Sequence, residues 1–186
     1  MGKIVISENV TLDGIVEDPS GEEGFEHGGW VGHIGDRPAV ARAALADALG
    51  AEAILFGRGG YEFFGARWPS RSGELADRLN GLPKFVVSST LEAPDWSNST
   101  VLNGEPVDAV SKLKREVDGE ILLIGSIRLA RTLIEHGLAD ELRLAVFPVA
   151  LGAGERLFDE IGGRKQMRLA GVETGDGIAF LTYEAD

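Results

Sequence analysis

Cysteine is absent from the 186 residues. Disulfides, iron–sulfur clusters, thiolate zinc sites and a Cys nucleophile are therefore excluded. Basic side chains are scarce: 18 Lys and Arg stand against 30 Asp and Glu, a formal net charge of −12 at pH 7. That balance argues against non-specific binding to nucleic acid or an anionic membrane, each of which needs a basic footprint. No apolar run approaches the ~20 residues of a spanning helix. The N-terminus offers only Ile4-Val5-Ile6 before the charge at Glu8, too little for a signal-peptide core. Ile6 stands where myristoylation requires Ser or Thr. Without a secretory signal, the Asn98-Ser99-Thr100 sequon reads as a polar surface turn. The expected location is cytoplasmic. His27, His33 and His136 have no metal-ligand spacing, so no metal is expected. Neither a Gly-x-Ser-x-Gly elbow nor a Gly-Lys-Ser/Thr loop occurs.

What is present suits a folded domain. The hydrophobic fraction is 44%, too high for intrinsic disorder. A chain of this length is most simply one domain, 1–186, that hides roughly 70% of its unfolded surface. Short apolar runs recur at Lys3–Ser7, Ala53–Phe56, Lys84–Ser88, Glu120–Ile124, Leu142–Phe147 and Ile178–Tyr183. Ile121-Leu122-Leu123-Ile124 is continuously apolar, as a strand buried on both faces requires. The last two runs alternate and suit antiparallel strands near an edge. Helical periods fill the gaps at Ala39–Leu49, Gly73–Leu79, Val107–Val117 and Ile127–His136. Asp36 is placed to N-cap the first, Pro38 suits its first turn, and Gly50 ends it. Alternation of this kind predicts an α/β fold with a largely parallel sheet covered by helices. The stretch Pro19–Gly35 is too long for an ordinary connection and reads as a lid or a binding loop.

Glycine is abundant, with 26 residues, and collects where strands end. Gly57-Arg58-Gly59-Gly60 follows one run and opens a helical turn; Gly125-Ser126 follows another and opens a helix. In open α/β sheets ligands bind beyond the carboxyl ends of strands. There, glycine lets backbone approach a phosphate and a helix N-terminus supplies free N–H groups. Each turn alone is equally well a tight connection, but their repetition points to a dinucleotide. The Rossmann fingerprint does not fit, because Glu62 occupies the place of its third glycine. Asp13, in Thr11-Leu12-Asp13-Gly14 after the first run, has two readings: a turn-forming Asp-Gly pair or a carboxylate facing a heterocycle. Asp140-Glu141, Glu22-Glu23 and Asp159-Glu160 read as solvated charge.

Four segments carry a resemblance. They are Thr11-Leu12-Asp13-Gly14; Gly57-Arg58-Gly59-Gly60-Tyr61-Glu62 with Trp68-Pro69; Lys84 to Leu91; and Gly125-Ser126 through Leu138-Ala139-Asp140-Glu141-Leu142 to Pro148–Gly154 and Leu157-Phe158. Together they make the chain similar to the dihydrofolate-reductase-like superfamily. Within it, the chain resembles the reductase domain at the C-terminus of the bifunctional deaminase–reductase of riboflavin biosynthesis, and its stand-alone bacterial relatives. The resemblance implies a three-layer α/β/α fold, a mixed and mostly parallel sheet, NADPH as hydride donor, and commonly a homodimer. Its seam would be Leu142–Phe147, unless that strand is interior.

Carried over residue by residue, Gly57 and Arg58 would meet the cofactor phosphates. Ser88, Ser89 and Thr90 would hold the adenosine ribose and its 2′-phosphate, and Gly125, Ser126 and Ile127 the pyrophosphate. Asp13 would be the catalytic residue facing the substrate, with Trp68, Leu151 and Gly152 near the nicotinamide end. Two departures stand out: Gly60 replaces the family's Thr, and Ser126 replaces a second Gly. The linked zinc deaminase needs Pro-Cys-x-x-Cys, which these 186 residues do not contain, so reduction alone is expected of them. The implied activity is that of a 5-amino-6-(5-phosphoribosylamino)uracil reductase; the alternatives are dihydrofolate reduction and nucleotide binding without catalysis. Asp47, near the end of the first helix, is not a confident equivalent of the acid that dihydrofolate reductases direct at the pterin.

Overall fold

The computed structural model describes residues 1–159 and 161–186; Glu160, of the Asp159-Glu160 pair, lies outside them. The apolar runs become β1 (Lys3–Thr11), β2 (Ala51–Gly57), β3 (Lys84–Val87), β5 (Glu120–Ile124), β6 (Glu141–Phe147) and β8 (Ile178–Ala185). Two further strands, β4 (Ser99–Leu102) and β7 (Met167–Gly175), escape the sequence pattern. The sheet order is β4-β3-β2-β5-β1-β6-β8-β7. From β4 to β6 every neighbour is parallel, while β8 runs antiparallel to both β6 and β7. The last two apolar runs are thus antiparallel to each other, as expected, but β6 also pairs parallel with β1 and lies inside the sheet.

The helices are α1 (Pro38–Gly50), α2 (Arg58–Gly65), α3 (Glu74–Gly81), α4 (Pro106–Glu116) and α5 (Ile127–Glu135). Period-two alternation divides the central strands between two cores. Ile4, Ile6, Leu55, Ile121 and Leu123 pack with Leu113 of α4 and Leu133 of α5. Val5, Ile54, Phe56 and Leu122 pack with Ala48 of α1 and Leu79 of α3. The result is a three-layer α/β/α fold. Among the described residues no helix is long and apolar enough to cross a membrane.

β7 is missed because its outward residues are unremarkable: Leu169 and Val172 are exposed on an edge strand. Its hairpin with β8 is set by Asp176-Gly177, both at positive φ (57° and 76°), the geometry that two-residue hairpin turns favour. The same Asp176 corrects the helix-cap expectation. Its carboxylate accepts the Ala39 N–H at 2.7 Å, so α1 is capped from a turn 137 residues away and not by Asp36.

The acidic pairs are not simply solvated. Asp140 accepts from the Ile4 N–H at 2.7 Å and from the Lys114 ammonium at 2.5 Å. Glu141 is buried between Lys3 and Arg143. Glu22 pairs with Arg67.

Candidate functional site

The carboxyl ends of β2, β5 and β1 open into a cavity of about 1530 Å³. Two helices begin at its wall. Neither the start of α2 nor that of α5 has a side-chain cap, and the first N–H groups of a helix have no intrahelical acceptor. Gly57, Arg58, Gly125, Ser126 and Ile127 all line this cavity. The Gly57 N–H donates to Ser126 Oγ at 3.0 Å and ties the two helix starts together. Among the described residues the buried Ser126 hydroxyl has no other hydrogen-bond partner, and Ser126 lines the cavity.

Gly60 is held to glycine by this contact. A Cβ there would lie 2.2 Å from Ser126 Oγ and 2.7 Å from the Gly125 carbonyl oxygen. The two positions at which the sequence departs from the resemblance, 60 and 126, are thus in contact.

Trp68 lines the cavity, its ring nearly parallel to that of Phe64. Loop 19–35 forms another wall through Glu22, Glu23, Phe25 and Val31. It carries a 3-10 helix, Trp30–Ile34, whose Trp30 indole is buried and donates to the Glu17 carbonyl at 2.9 Å. Buried Asp18 holds the rest, accepting from the N–H groups of Glu22 and Phe25. Burial pushes its carboxyl up, and the N–H groups of Glu23, Phe25, Glu22 and Gly21 outweigh that and leave it below its ordinary value. The Glu22–Arg67 pair then fastens the loop to the segment after α2.

Asp13 follows β1 by two residues. Its carboxylate accepts from Thr11 Oγ1 at 2.7 Å, from the Leu151 N–H at 3.2 Å and from the Gly152 N–H at 2.7 Å. Asp13, Leu151 and Gly152 thus form a cluster of their own and do not line the cavity that Trp68 lines. The carboxylate pins a distant loop to the end of β1. The Thr11 hydroxyl, then the Gly152 N–H, hold its acid form down to about 2. A carboxyl depressed in the folded state contributes stability above its unfolded value, near pH 4, and loses that contribution as pH falls toward 2. Asp13→Ala should cost about 1 kcal/mol at pH 7. It should also flatten the decline of stability between pH 4 and 2, measured by urea unfolding across that range.

Ser88, Ser89 and Thr90 do not line the cavity, but Thr90 bonds to Arg58, which does. Arg58 Nη1 donates to Thr90 Oγ1 at 2.5 Å while its Nε pairs with Glu62. Ser88 Oγ accepts the N–H groups of Thr90 and Leu91 and shapes this turn. The fold thereby brings the second and third glycine- and serine-rich segments to the same sheet end as Gly125 and Ser126.

Two features were missed in the sequence. The first is Glu8, which lines the cavity. Its position in β1 continues the inward series Ile4, Ile6 and Val10, and a charge on an apolar face is a signal that period-two reading could have caught. Its Oε1 accepts the Gly125 N–H at 2.8 Å. Burial pushes this carboxyl up to about 8, against the lowering effect of the Gly125 and Ser126 N–H groups. The second is a network around Arg143, which donates to Asp47, Glu120 and Glu141. Ser7 Oγ donates to the other oxygen of Asp47 at 2.6 Å. Its members come from four separate segments, so no local motif announces it.

The family model described as RibD C-terminal domain matches residues 2–180. The uncharacterized protein YyaP of Bacillus subtilis is 29% identical over 187 residues, covering 97% of this chain and 94% of that protein. A solved structure from Shewanella sp. PV-4, whose name links it to riboflavin biosynthesis, superposes with a TM-score of 0.78 at 22% identity over 99% of both chains. A pyrimidine reductase-like protein from Corynebacterium diphtheriae gives 0.64 at 15% identity, over 99% of this chain and 92% of that one. The Thermotoga maritima deaminase and 5-amino-6-(5-phosphoribosylamino)uracil reductase gives 0.65 at 16% identity, over 100% of this chain and 57% of that one.

Proposed function

Because the chain belongs to the RibD C-terminal domain family, we propose that it is an oxidoreductase that reduces a small heterocyclic, carbonyl or imine substrate with NADPH. The observation that carries this reading is the pair of uncapped helix starts, α2 and α5, joined by the Gly57–Ser126 bond at one large cavity. The first-turn N–H groups of α2 and α5, which have no intrahelical acceptor, and the Ser126 hydroxyl fit a diphosphate. Gly57, Arg58, Gly125, Ser126 and Ile127 would hold it, and Ser88, Ser89 and Thr90 with Arg58 would take the ribose and 2′-phosphate. The dinucleotide, when bound, supplies the hydride. The chain's own part is to orient and to exclude water, with Trp68 and loop 19–35 closing the substrate side. A uracil amine of the kind named for the Thermotoga relative is the substrate class this reading favours. A homodimer belongs to the same reading, and since β6 is interior its seam lies elsewhere.

The folate alternative is disfavoured by α1. Its cavity-lining residues include Val40, Ala43 and Asp47, and the Asp47 carboxylate is already committed to Ser7 and Arg143. A pterin would find no free acid on this helix. The binding-only alternative predicts the same ligand but no turnover.

A thermal-shift titration tests the reading. At ~100 times its Kd a ligand stabilises by about 2.7 kcal/mol, or about 5–10 °C for a chain of this size. NADPH should give that shift, NADH less, and Arg58→Ala should reduce it. No shift at millimolar NADPH overturns the dinucleotide reading. NADPH oxidation on addition of uracil-amine or carbonyl acceptors then separates the enzyme from the binding protein.

A further inference from the structure

Consecutive residues of a strand face opposite sides of the sheet. In β1, Glu8 turns toward the head of α5, where its carboxylate meets the Gly125 N–H. Asn9 turns the other way, with Ser7, toward α1. Ser7 fixes that direction, since its hydroxyl donates to Asp47 of α1. Asn9 is half-buried and lines the cavity. Its neighbours leave its side chain alone. Ser7 and Thr11, before and after it on the same face, are spent on Asp47 and Asp13. The residue beside it on β6 is Ala145. On the other flank the register with β5 has already ended, at Ser7 and Ile124. Among the described residues the Asn9 carboxamide has no hydrogen-bond partner. Its atoms are also not sealed in: the buried polar atoms without a partner are Arg37 Nη1 and Ser99 Oγ. The carboxamide is therefore open to whatever fills the cavity.

The walls on this side are apolar. Ala145, Phe180, Val40 of α1 and Val31 of loop 19–35 line the cavity and pack on the buried Trp30–Phe147 cluster. An apolar pocket with a few placed polar groups is the usual site of a small organic ligand. A carboxamide sets one acceptor and one donor side by side. That pair is the complement of a lactam, whose N–H and C=O also lie side by side. A carboxylate would offer acceptors alone.

We propose that Asn9 reads the lactam edge of the substrate ring and sets the preference for it. This rests on the reductase reading above, in which loop 19–35 closes the substrate side. Asn9 Oδ1 accepts the ring N3–H, and Nδ2 donates to an adjacent ring carbonyl. In the uracil amine favoured above, the large substituent is on C6, across the ring from N3. The N3 edge is thus the one free to meet a strand.

The test is binding of 5,6-diaminouracil and of its 3-methyl derivative by calorimetry, with NADP+ saturating. Methylation removes one donor and blocks its neighbour. The wild type should bind the unmethylated ring about 10- to 100-fold more tightly. Asn9→Ala should bind both rings with the weaker affinity, while its thermal shift with NADPH stays that of the wild type. Asn9→Asp should lose affinity for 5,6-diaminouracil and gain it for 2,4-diaminopyrimidine, whose protonated edge presents two N–H donors. A methyl preference that survives in Asn9→Ala overturns the proposal, as does a wild type that binds both rings alike. A weakened NADPH shift in Asn9→Ala also overturns it, because the carboxamide then serves the cofactor. If Asn9→Ala fails to fold, Asn9→Asp decides, and an unreversed preference overturns the proposal. No NADPH shift in the wild type removes the reductase reading and this proposal with it. An NADPH shift without discrimination between the rings removes only this one.

Discussion

Gly60→Ala is expected to abolish the NADPH-induced thermal shift and to lower the midpoint of the free protein by several degrees. The new methyl carbon meets Ser126 Oγ at 2.2 Å and the Gly125 carbonyl oxygen at 2.7 Å. A hydroxyl can rotate away, but the carbonyl is backbone, so α2 and α5 must separate. Overpacking of this kind costs about 1–3 kcal/mol. Its larger effect falls on function, because the gap being forced open is the one across which Gly57 and Ser126 bond. A double-mutant cycle tests the point. Ser126→Gly removes the first clash and leaves the second, so Gly60→Ala with Ser126→Gly should recover part of the lost stability. A coupling of about 0.5–3 kcal/mol is expected for residues in contact. Strict additivity would mean that positions 60 and 126 do not act as one unit.

Lys84→Met is expected to be the most destabilising single change. Lys84 is fully buried at the start of β3. Its ammonium donates to the carbonyl oxygens of Leu82 at 2.8 Å, Asn80 at 3.0 Å and Ser97 at 3.1 Å, and lies 4.5 Å from the Trp96 ring centre. Methionine fills the volume but leaves three carbonyls without this donor. A loss of about 3 kcal/mol follows from the cost of unpaired buried acceptors, equivalent to about 6–12 °C in Tm. Chemical denaturation of the two proteins measures it directly. A loss below about 1 kcal/mol would mean that water replaces the ammonium. Because Lys84 fixes where β3 begins, the variant should also loosen the Ser88–Thr90 turn four residues on.

Much of the architecture was legible along the chain. The strand runs and the four helical periods depend on residues two to four positions apart, and hydrophobic burial enforces those spacings in the fold, as Ile121–Ile124 and Ile127–Glu135 show. The glycine turns after β2 and β5 were legible for the same reason: a turn at a strand end is decided by its own backbone. β4 and β7 were not, since four residues at one edge and an exposed strand at the other carry no burial pattern.

Side-chain roles divide along the same line. Asp13 was open between a turn and a site from its neighbours alone; its bonds to the N–H groups of Leu151 and Gly152, 138 and 139 residues away, appear only in the fold. Glu8 carried no site reading in the sequence; with β5 laid beside β1 the Gly125 N–H lies 2.8 Å from its oxygen. Asp47 was a solitary acid on α1 until β6 brought Arg143 against it. Lys84 was a motif lysine until the chain around Asn80 and Ser97 closed over it. The sequence by itself therefore determined the elements, their alternation and the glycine turns that shape the cavity, because these follow from short-range periodicity and backbone freedom. Only the tertiary structure decided which polar groups face the cavity and which are spent holding it together. Hydrogen-bond partners and burial are set by segments that meet in space and not along the chain.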